Sequence, residues 1–517
     1  MQKDLIVAID CGTQSLRTAI FDENGQIIDI EQIFYSPYES PFPGWAEQDP
    51  LVYWDALCKS TGAICERNSK IKERFCGVTV TTLRDSVINL DNNGLPLRKA
   101  ILWMDKRKAQ PPYNPGIFLH TGMKIIGMDE VLRKVQVDGK CNWIMQNEPD
   151  IWKKTHKFLL VSGYLNFCLT GQYCDSVASQ IGHIPFNYKN LRWSKNGERN
   201  HGMFPVDENM LCALVSPGER CGEITHEVSV KTGLPSGLPV IASGSDKGCE
   251  TLGSGVFDSK SAAMSFGTTA TCQTLTDRYT EIQRFMPSYP AVIPGKYNPE
   301  VEIYRGFWMI RWFREEFAHL EVEQAAQLER APEEILDKYL QDIPAGSLGL
   351  MMLPYWGAPL LEPAAKGAFI GFGDVHSRGY LYKSVIEGLC YGLRAGLERI
   401  SEVTGKKENI FVSGGASRSN QICQIAADIF GKPVIRGKSH ESCLMGAAIA
   451  VAAGTGLHPD WEFAVKVMTS QRSCIEPNLA NHSIYDDYFN NVYKKAIKLM
   501  KPLSEEIRRI SNYPEIV

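Results

Sequence analysis

The run ASGSDKGCETLGSG, residues 242–255, sets one carboxylate, Asp246, among glycines and small residues directly after the apolar segment LPVI. Gly, Ser and Asp are ordinary turn residues, so a surface turn is one reading of the run. The other reading is an acid with room on both sides, because Gly244, Ser245 and Gly248 leave space that bulkier neighbours would fill. An acid in that position can accept a proton from a hydroxyl within hydrogen-bond reach. Lys247, next in the chain, either orients a reacting group or is solvated.

Three further loops have the composition of phosphate sites. In AIDCGTQSLR an apolar run ends at Asp10 and is followed by Gly12, Thr13, Gln14 and Ser15. The N–H groups of a glycine turn, helped by hydroxyls, make a concave donor surface for phosphate oxygens. Asp10 would repel phosphate unless Mg2+ lay between them, and Mg2+ takes one or two carboxylates along with phosphates and water. Arg17 adds a fixed positive charge. A plain hairpin turn with an Asp cap explains the same residues. SFGTTA repeats the glycine-hydroxyl turn at Gly267, Thr268 and Thr269. In FVSGGASRSNQ the small residues Gly414, Gly415 and Ala416 let a flat ring or a phosphate approach the backbone, ahead of a helix whose first turn holds Ser419 and Asn420. A tight strand-to-helix connection is the competing reading there. The loop matches neither the P-loop nor the dinucleotide fingerprint.

An adjacent cation and acid, Arg84 and Asp85 in TTLRDSVINL, can donate to and accept from neighbouring hydroxyls, which is what a polyol offers. A salt bridge at a strand end is the alternative.

The elements that must position these residues alternate between strand and helix. LIVAI (5–9) and LRTAIFD are strand-like, and Asn24-Gly25 between β-favouring runs predicts a hairpin. CGVTVTT (76–82), SVINLD (86–91) and AILWMD (100–105) read as strands, and KCNWIMQNEPDIWKKT (140–155) and GYLNFCLTG (163–171) as helices. Later, SAAMSFGTTATCQTLTD (261–277) repeats the strand–turn–strand of the N-terminus. A long helix over 384–405 ends at a capping glycine, and then come a strand at 409–415, a helix over 419–431 and a strand in KPVIRG. This is an α/β pattern with weak internal symmetry between two halves, 1–256 and 257–517, where GSGVFDSK breaks the periodicity. The last fifty residues predict a solvated helical cover.

The totals narrow the functional classes. A chain of 517 residues is too long for one core. With 44% hydrophobic and 22% charged residues it is typical of soluble globular proteins, and a net charge of -4 gives no sign of a nucleic-acid or membrane-surface partner. The start carries an acid and only a five-residue apolar run, unlike a signal peptide, and no run reaches the ~18 apolar residues of a membrane helix. Fifteen cysteines without paired spacing point to reduced thiols in a cytoplasmic protein, and ten scattered histidines do not suggest a metal cluster.

In this order the segments resemble the FGGY carbohydrate kinases of the actin, hexokinase and Hsp70 ATPase superfamily. IDCGTQSLRTAIFD resembles the first phosphate loop, and GWAEQDPLVYW (44–54) the aromatic and acidic region before the second helix. Residues 140–173 and 367–388 are similar to the two family signatures, and 412–434 to the adenosine motif. The resemblance runs from about residue 4 to about 455 and departs in places. Cys141 follows Lys140 where a long apolar residue is usual, Gly163 lacks an acid common in relatives, and Tyr380 replaces a polar residue, as in an outlying subfamily.

The resemblance implies two ribonuclease-H-like domains with a catalytic cleft between them, and transfer of phosphate from Mg-ATP to a sugar or polyol. Carried over residue by residue, Asp246 is the catalytic base. Asp10, with Asp246, holds Mg2+. Gly12, Thr13, Gln14, Ser15 and Arg17 line the phosphates from one side and Gly267, Thr268 and Thr269 from the other. Gly306 and Ile310 in RGFWMIRWF touch the nucleotide, although that stretch also reads as an amphipathic core helix. Gly414, Gly415, Ala416, Ser419 and Asn420 surround the adenosine. Arg84, Asp85, Trp103 and Lys247 bind the acceptor, with Asp105 beside Trp103. Glycerol kinases carry a similar Arg-acid pair and xylulokinases Met-His, which leans towards a linear polyol or open-chain sugar. The shared loops leave two alternatives: an actin- or Hsp70-like ATPase, or a weakly catalytic sugar sensor. The oligomeric state stays open, with a homodimer as the candidate.

Overall fold

The computed structural model describes residues 3–113, 129–283, 286–470 and 472–513. In the first half, β1 (Leu5–Cys11), β2 (Ser15–Phe21), β3 (Ile27–Phe34), β4 (Phe75–Thr82), β5 (Arg220–Glu223) and β6 (Pro239–Ile241) form one sheet in the order β5-β6-β4-β1-β2-β3. β1 and β4 are buried along their whole length, as expected of central strands covered on both faces, whereas β3 alternates at the edge. The hairpin between β2 and β3 forms as predicted. Gly25 takes φ +77, and a Cβ there would lie 2.3 Å from the carbonyl oxygen of Met468.

The second half builds the same pattern. β7 (Ser261–Phe266), β8 (Ala270–Thr274), β9 (Glu300–Ile303), β10 (Asn409–Ser413), β11 (Val434–Gly437) and β12 (Arg472–Ile475) run in the order β9-β8-β7-β10-β11-β12. From the β3 or β9 edge inward, both sheets pair antiparallel, antiparallel, parallel, parallel, antiparallel. The internal symmetry legible in two short loops therefore extends to whole sheets. In the matched strands β1 and β7, Asp10 and Ser265 each stand two residues before the loop glycine, Gly12 or Gly267.

Eight helices position the site and cover the sheets: α1 (Pro50–Arg67), α2 (Val161–Thr170), α3 (Asp246–Gly253), α4 (Trp308–Phe317), α5 (Arg378–Thr404), α6 (Asn420–Phe430), α7 (Ser442–Gly454) and α8 (Lys494–Ser511). α7 is apolar on every side, as a helix enclosed by protein must be. It crosses α3 backbone to backbone. A Cβ on Gly446 would lie 1.9 Å from Cys249 O, and one on Gly253 would lie 2.0 Å from Ser442 O. α7 also lies on the first sheet, with Val451 against Gly77, so one core is shared by Ile6 and Ala8 of β1, Cys249 and Leu252 of α3, and the alanines of α7. The chain passes from one sheet to the other near 256–260, but this helix from the second half packs within the first.

Some elements differ from expectation. The helix expected over 140–155 breaks at Glu148 into Lys140–Asn147 and Pro149–Lys154, because the proline cannot continue the turn before it. The strand expected over 100–105 is confined to Ala100–Ile101, since the chain turns there to bring Asp105 under Ala46. GWAEQDPLVYW leads into the first helix, α1. The C-terminal segment is more than a cover: Tyr485, Phe489 and Tyr493 are buried against Tyr391 of α5. No helix among the described residues is long and apolar enough to cross a membrane.

Candidate active site

Asp246 is the first residue of α3. Ser245 caps that helix by accepting from the Gly248 amide at 3.3 Å, and its own amide donates to Ala178 O at 3.1 Å. These bonds fix the backbone that carries Asp246, while its side chain keeps 31% exposure to the cleft. The surface-turn reading is thus replaced by a capped helix start. The Lys247 side chain is not solvated. Its Nζ donates to Glu250 Oε2 at 2.7 Å and to Ser265 Oγ at 2.9 Å, and Ser265 and Ser413 donate in turn to Glu250 Oε1 at 2.8 and 2.7 Å. This network ties α3 to β7 and β10 of the second sheet. Burial and hydrogen bonding explain the correction, since a lysine enclosed here needs a carboxylate partner.

Across from Asp246 stands Arg84, two residues beyond the end of β4. Its Nε lies 3.7 Å from Asp246 Oδ1 and its Nη2 lies 3.3 Å from Glu300 Oε1 on β9, while the guanidinium sits 5.4 Å from the Tyr289 ring centre. Arg84 and Asp85 do not pair with each other. Asp85 sits at φ +51, an uncommon conformation for a residue with a side chain, and its Oδ2 meets Lys140 Nζ at 2.6 Å and His183 Nδ1 at 2.9 Å. Although burial opposes ionisation, the Lys140 charge and the His183 contact hold the Asp85 carboxyl well below the usual carboxylate range. Among the described residues Oδ1 accepts only the His183 amide, at 2.9 Å, which leaves it capacity for one more donor. Trp103 is half-exposed and donates its indole N–H to Thr13 Oγ1 at 3.2 Å. Asp105 is a structural residue, accepting from the Ala46 amide and from Arg107.

The phosphate-type loops converge on the same cleft. The Gly12–Ser15 turn is closed by the Gly12 amide donating to Ser15 O at 3.0 Å, and Tyr35 donates its hydroxyl to Gly12 O at 2.6 Å. Thr13, Gln14 and Ser15 remain accessible. The Gly267–Thr269 turn is held by Phe307, whose amide donates to Gly267 O at 3.0 Å. Gly306 lies against this turn so closely that a Cβ would be 2.3 Å from the Ala270 amide. Ile310 is half-buried on α4, whose Met309 and Phe313 enter the core, as the amphipathic-helix reading of RGFWMIRWF expects. Gly414 takes φ +87 with its Cβ position 2.8 Å from the Phe266 carbonyl carbon, whereas Gly415 faces open space. Ser419 caps α6 rather than entering its first turn, and Asn420 accepts from Arg436 at 2.9 Å.

Asp10 and Asp246 face the same space. Burial pushes the Asp10 carboxyl up to about 6 despite the adjacent Arg17, and the Asp246 and Glu441 charges add to the rise. Arg17 Nη2 lies 2.6 Å from Asp10 and its Nη1 2.6 Å from Glu441, while its buried Nε has no partner among the described residues. Two carboxylates facing one space, flanked by donor loops, fit a site for a divalent cation with phosphate. Open space at Gly415 fits a flat ring beside it.

Sequence reasoning missed Glu300, Glu302, Glu441, Glu250, His183 and the pairing of Lys140 with Asp85. The alternating acids of EVEIY were a visible signal for the first two. At Gly163, where an acid was expected, Asp175 Oδ2 lies 3.4 Å from where a Cβ would be and accepts from Ser162 and Gln180.

Models of the N-terminal and C-terminal domains of the FGGY family of carbohydrate kinases match residues 5–253 and 262–455. A xylulose kinase of Staphylococcus epidermidis is 26% identical over 99% of this chain and 100% of that protein. A gluconokinase of Bacillus subtilis is 28% identical over 87% of this chain and 88% of that protein. The crystal structure of gluconate kinase from Lactobacillus acidophilus superposes with a TM-score of 0.80 at 22% identity, covering 99% of both chains.

Proposed function

The chain belongs to the FGGY family of carbohydrate kinases, ATP- and Mg2+-dependent sugar-phosphorylating enzymes, and on that premise we propose that it acts on a small neutral polyol or open-chain sugar with Asp246 as the proton acceptor. The observation that carries this reading is the accessible carboxylate of Asp246, fixed at a capped helix start between Arg84 and the phosphate-type loops.

Phosphoryl transfer asks the protein for in-line placement, compensation of negative charge and a place for the acceptor's proton. In this reading Asp246 takes the proton of the attacking hydroxyl. Arg84 donates to a neighbouring hydroxyl, and Asp85 Oδ1 accepts from another. Trp103 covers the sugar's carbon face, and Lys247 keeps α3 in register with β7. The amides and hydroxyls of Gly12, Thr13, Gln14, Ser15, Gly267, Thr268 and Thr269 donate to phosphate oxygens, with Arg17 behind the first loop. Gly414, Gly415, Ala416, Ser419 and Asn420 receive the adenosine, and Gly306 with Ile310 supports the second loop. Asp10, with Asp246 beyond it, would hold Mg2+, which compensates phosphate charge when bound. Closure of the two halves on the acceptor would exclude water and so suppress ATP hydrolysis.

Xylulose kinases and gluconokinases among the relatives frame the choice of acceptor as a neutral sugar or a sugar acid. The engagement of Arg84 by Glu300 favours the neutral class, since that guanidinium is already neutralised. The test is ADP release with Mg-ATP across polyols, ketoses, aldoses and sugar acids. Highest kcat/KM on a linear polyol or ketose is expected, and no acceptor raising turnover above the buffer rate would sink the reading.

The same reading places the protein in the cytoplasm. It also carries a homodimer, which would cover the exposed apolar stripe Leu499, Leu503, Ile507 and Ile510 of α8. Light scattering should give twice the 57.8 kDa chain mass, and a single chain mass would remove the dimer.

A further inference from the structure

β9 sends Glu300 and Glu302 to one side, because residues two apart on a strand share a face. Their partners on β8 are Gln273 and Thr271. The side they share is the cleft: Glu300 meets Arg84, and Gln273 donates its side-chain amide to Glu300. Glu302 is one step nearer the Gly267–Thr269 loop and is half-buried. Its carboxylate has neither a hydrogen-bond nor an ion-pair partner among the described residues. The charged groups that act on it are Glu300, Arg84, Lys247 and Asp246, which are those of the acceptor pocket, and burial among them pushes its carboxyl up to about 7. None of the steps above uses this acid, which stands in the cleft wall without a donor.

We propose that Glu302 is a specificity-determining residue of the acceptor pocket: its carboxylate accepts a hydrogen bond from an acceptor hydroxyl, and with Glu300 it rejects acceptors that carry a carboxylate. This rests on the reading of the chain as a kinase of neutral acceptors. A polyol hydroxyl supplies the donor that Glu302 lacks, and supplies it from the second domain, opposite Arg84 and Trp103. A sugar acid would set a negative charge against Glu300, Glu302 and Asp246. The cations in reach do not offset it, because Arg84, Lys140 and Lys247 are already bound by Glu300, Asp85 and Glu250. Specificity of this kind comes from the repulsive element as much as from the attractive one.

Steady-state kinetics of the full chain with Mg-ATP separate the two parts, with glycerol, xylitol and D-xylulose as neutral acceptors and D-gluconate as the acid. Glu302→Ala should raise the KM of the best neutral acceptor about tenfold and leave the KM for ATP within about twofold, and Glu302→Asp should recover part of the loss. Glu302→Gln, which keeps an acceptor oxygen and removes the charge, should raise the ratio of gluconate to neutral-acceptor kcat/KM about tenfold. If wild-type turnover is normal on a neutral acceptor while acceptor KM and that ratio stay unchanged in all three folded variants, this inference falls and the kinase reading stands. If the wild type prefers gluconate, or turns over none of the four, the neutral-acceptor reading falls and takes the inference with it.

Discussion

Arg84 Nη2 and Glu300 Oε1 stand 3.3 Å apart although 216 residues separate them along the chain, and this pair joins the loop after β4 in one half to β9 in the other. The same guanidinium is 3.7 Å from Asp246, so one side chain touches the proposed base and the opposite wall. Arg84→Ala should therefore raise the acceptor KM roughly ten- to hundredfold, the worth of a hydrogen bond from a charged donor, with a much smaller change for ATP. Equal effects on both substrates would take Arg84 out of the acceptor pocket.

Asp246→Asn keeps the shape of the helix start and removes the proton acceptor. Turnover should fall by roughly two to four orders of magnitude, while titration calorimetry with Mg-ATP shows an affinity near that of the wild type. Unchanged kcat would sink the assignment of Asp246 as base.

Gly446→Ala tests the crossing of α3 and α7. Its methyl group would fall on the Cys249 carbonyl oxygen, where a real contact at 1.9 Å cannot exist, so the helices must part. Thermal unfolding should show a loss of roughly 1–3 kcal/mol, and kcat should drop because α3 begins with Asp246. A variant as stable and as active as the wild type would show that the crossing is loose.

Glu387 gives the fold a pH dependence of defined sign. This buried carboxyl of α5 accepts from the Gly346 amide, Ser347 Oγ and Tyr485 OH, and desolvation raises it from 4.5 to about 7. A folded-state value above the unfolded one means that its contribution is fully present below pH 4.5 and is lost as pH rises to about 7. The loss is on the order of 3 kcal/mol. Glu387→Gln should flatten the stability-against-pH curve over that window in urea titrations. An unchanged slope would assign the dependence to other groups.

Legibility in the sequence followed locality. The hairpin at Asn24-Gly25 and the glycine turns at Gly12 and Gly267 are each decided by neighbours within a few residues and were readable, whereas Ser419 stands at the helix cap and not in the first turn. The acceptor wall was not. Asp85 is satisfied by Lys140 and His183, and Arg84 by Glu300, through contacts that no local pattern encodes. The buried state of Lys247 likewise depends on Glu250 and on Ser265, which reaches it from the other sheet, while Ser413 of that sheet holds Glu250. The approach of Asp175 to Gly163 is likewise made by the fold, which brings strand and helix together.

The matched sheets place Asp10 and Ser265 at equivalent points ahead of two similar glycine turns. Two such turns facing each other could grip a chain of phosphates in either orientation. In the proposed reading the carboxylate at one and the Lys247-bound hydroxyl at the other remove that degeneracy, since a cation with its phosphates would settle beside Asp10. The cleft would thus have a polarity, written by an acid paired with Arg17 on one strand and a hydroxyl tied to Lys247 and Glu250 on the other. A nucleotide that enters backwards would find its charged end facing the wrong turn.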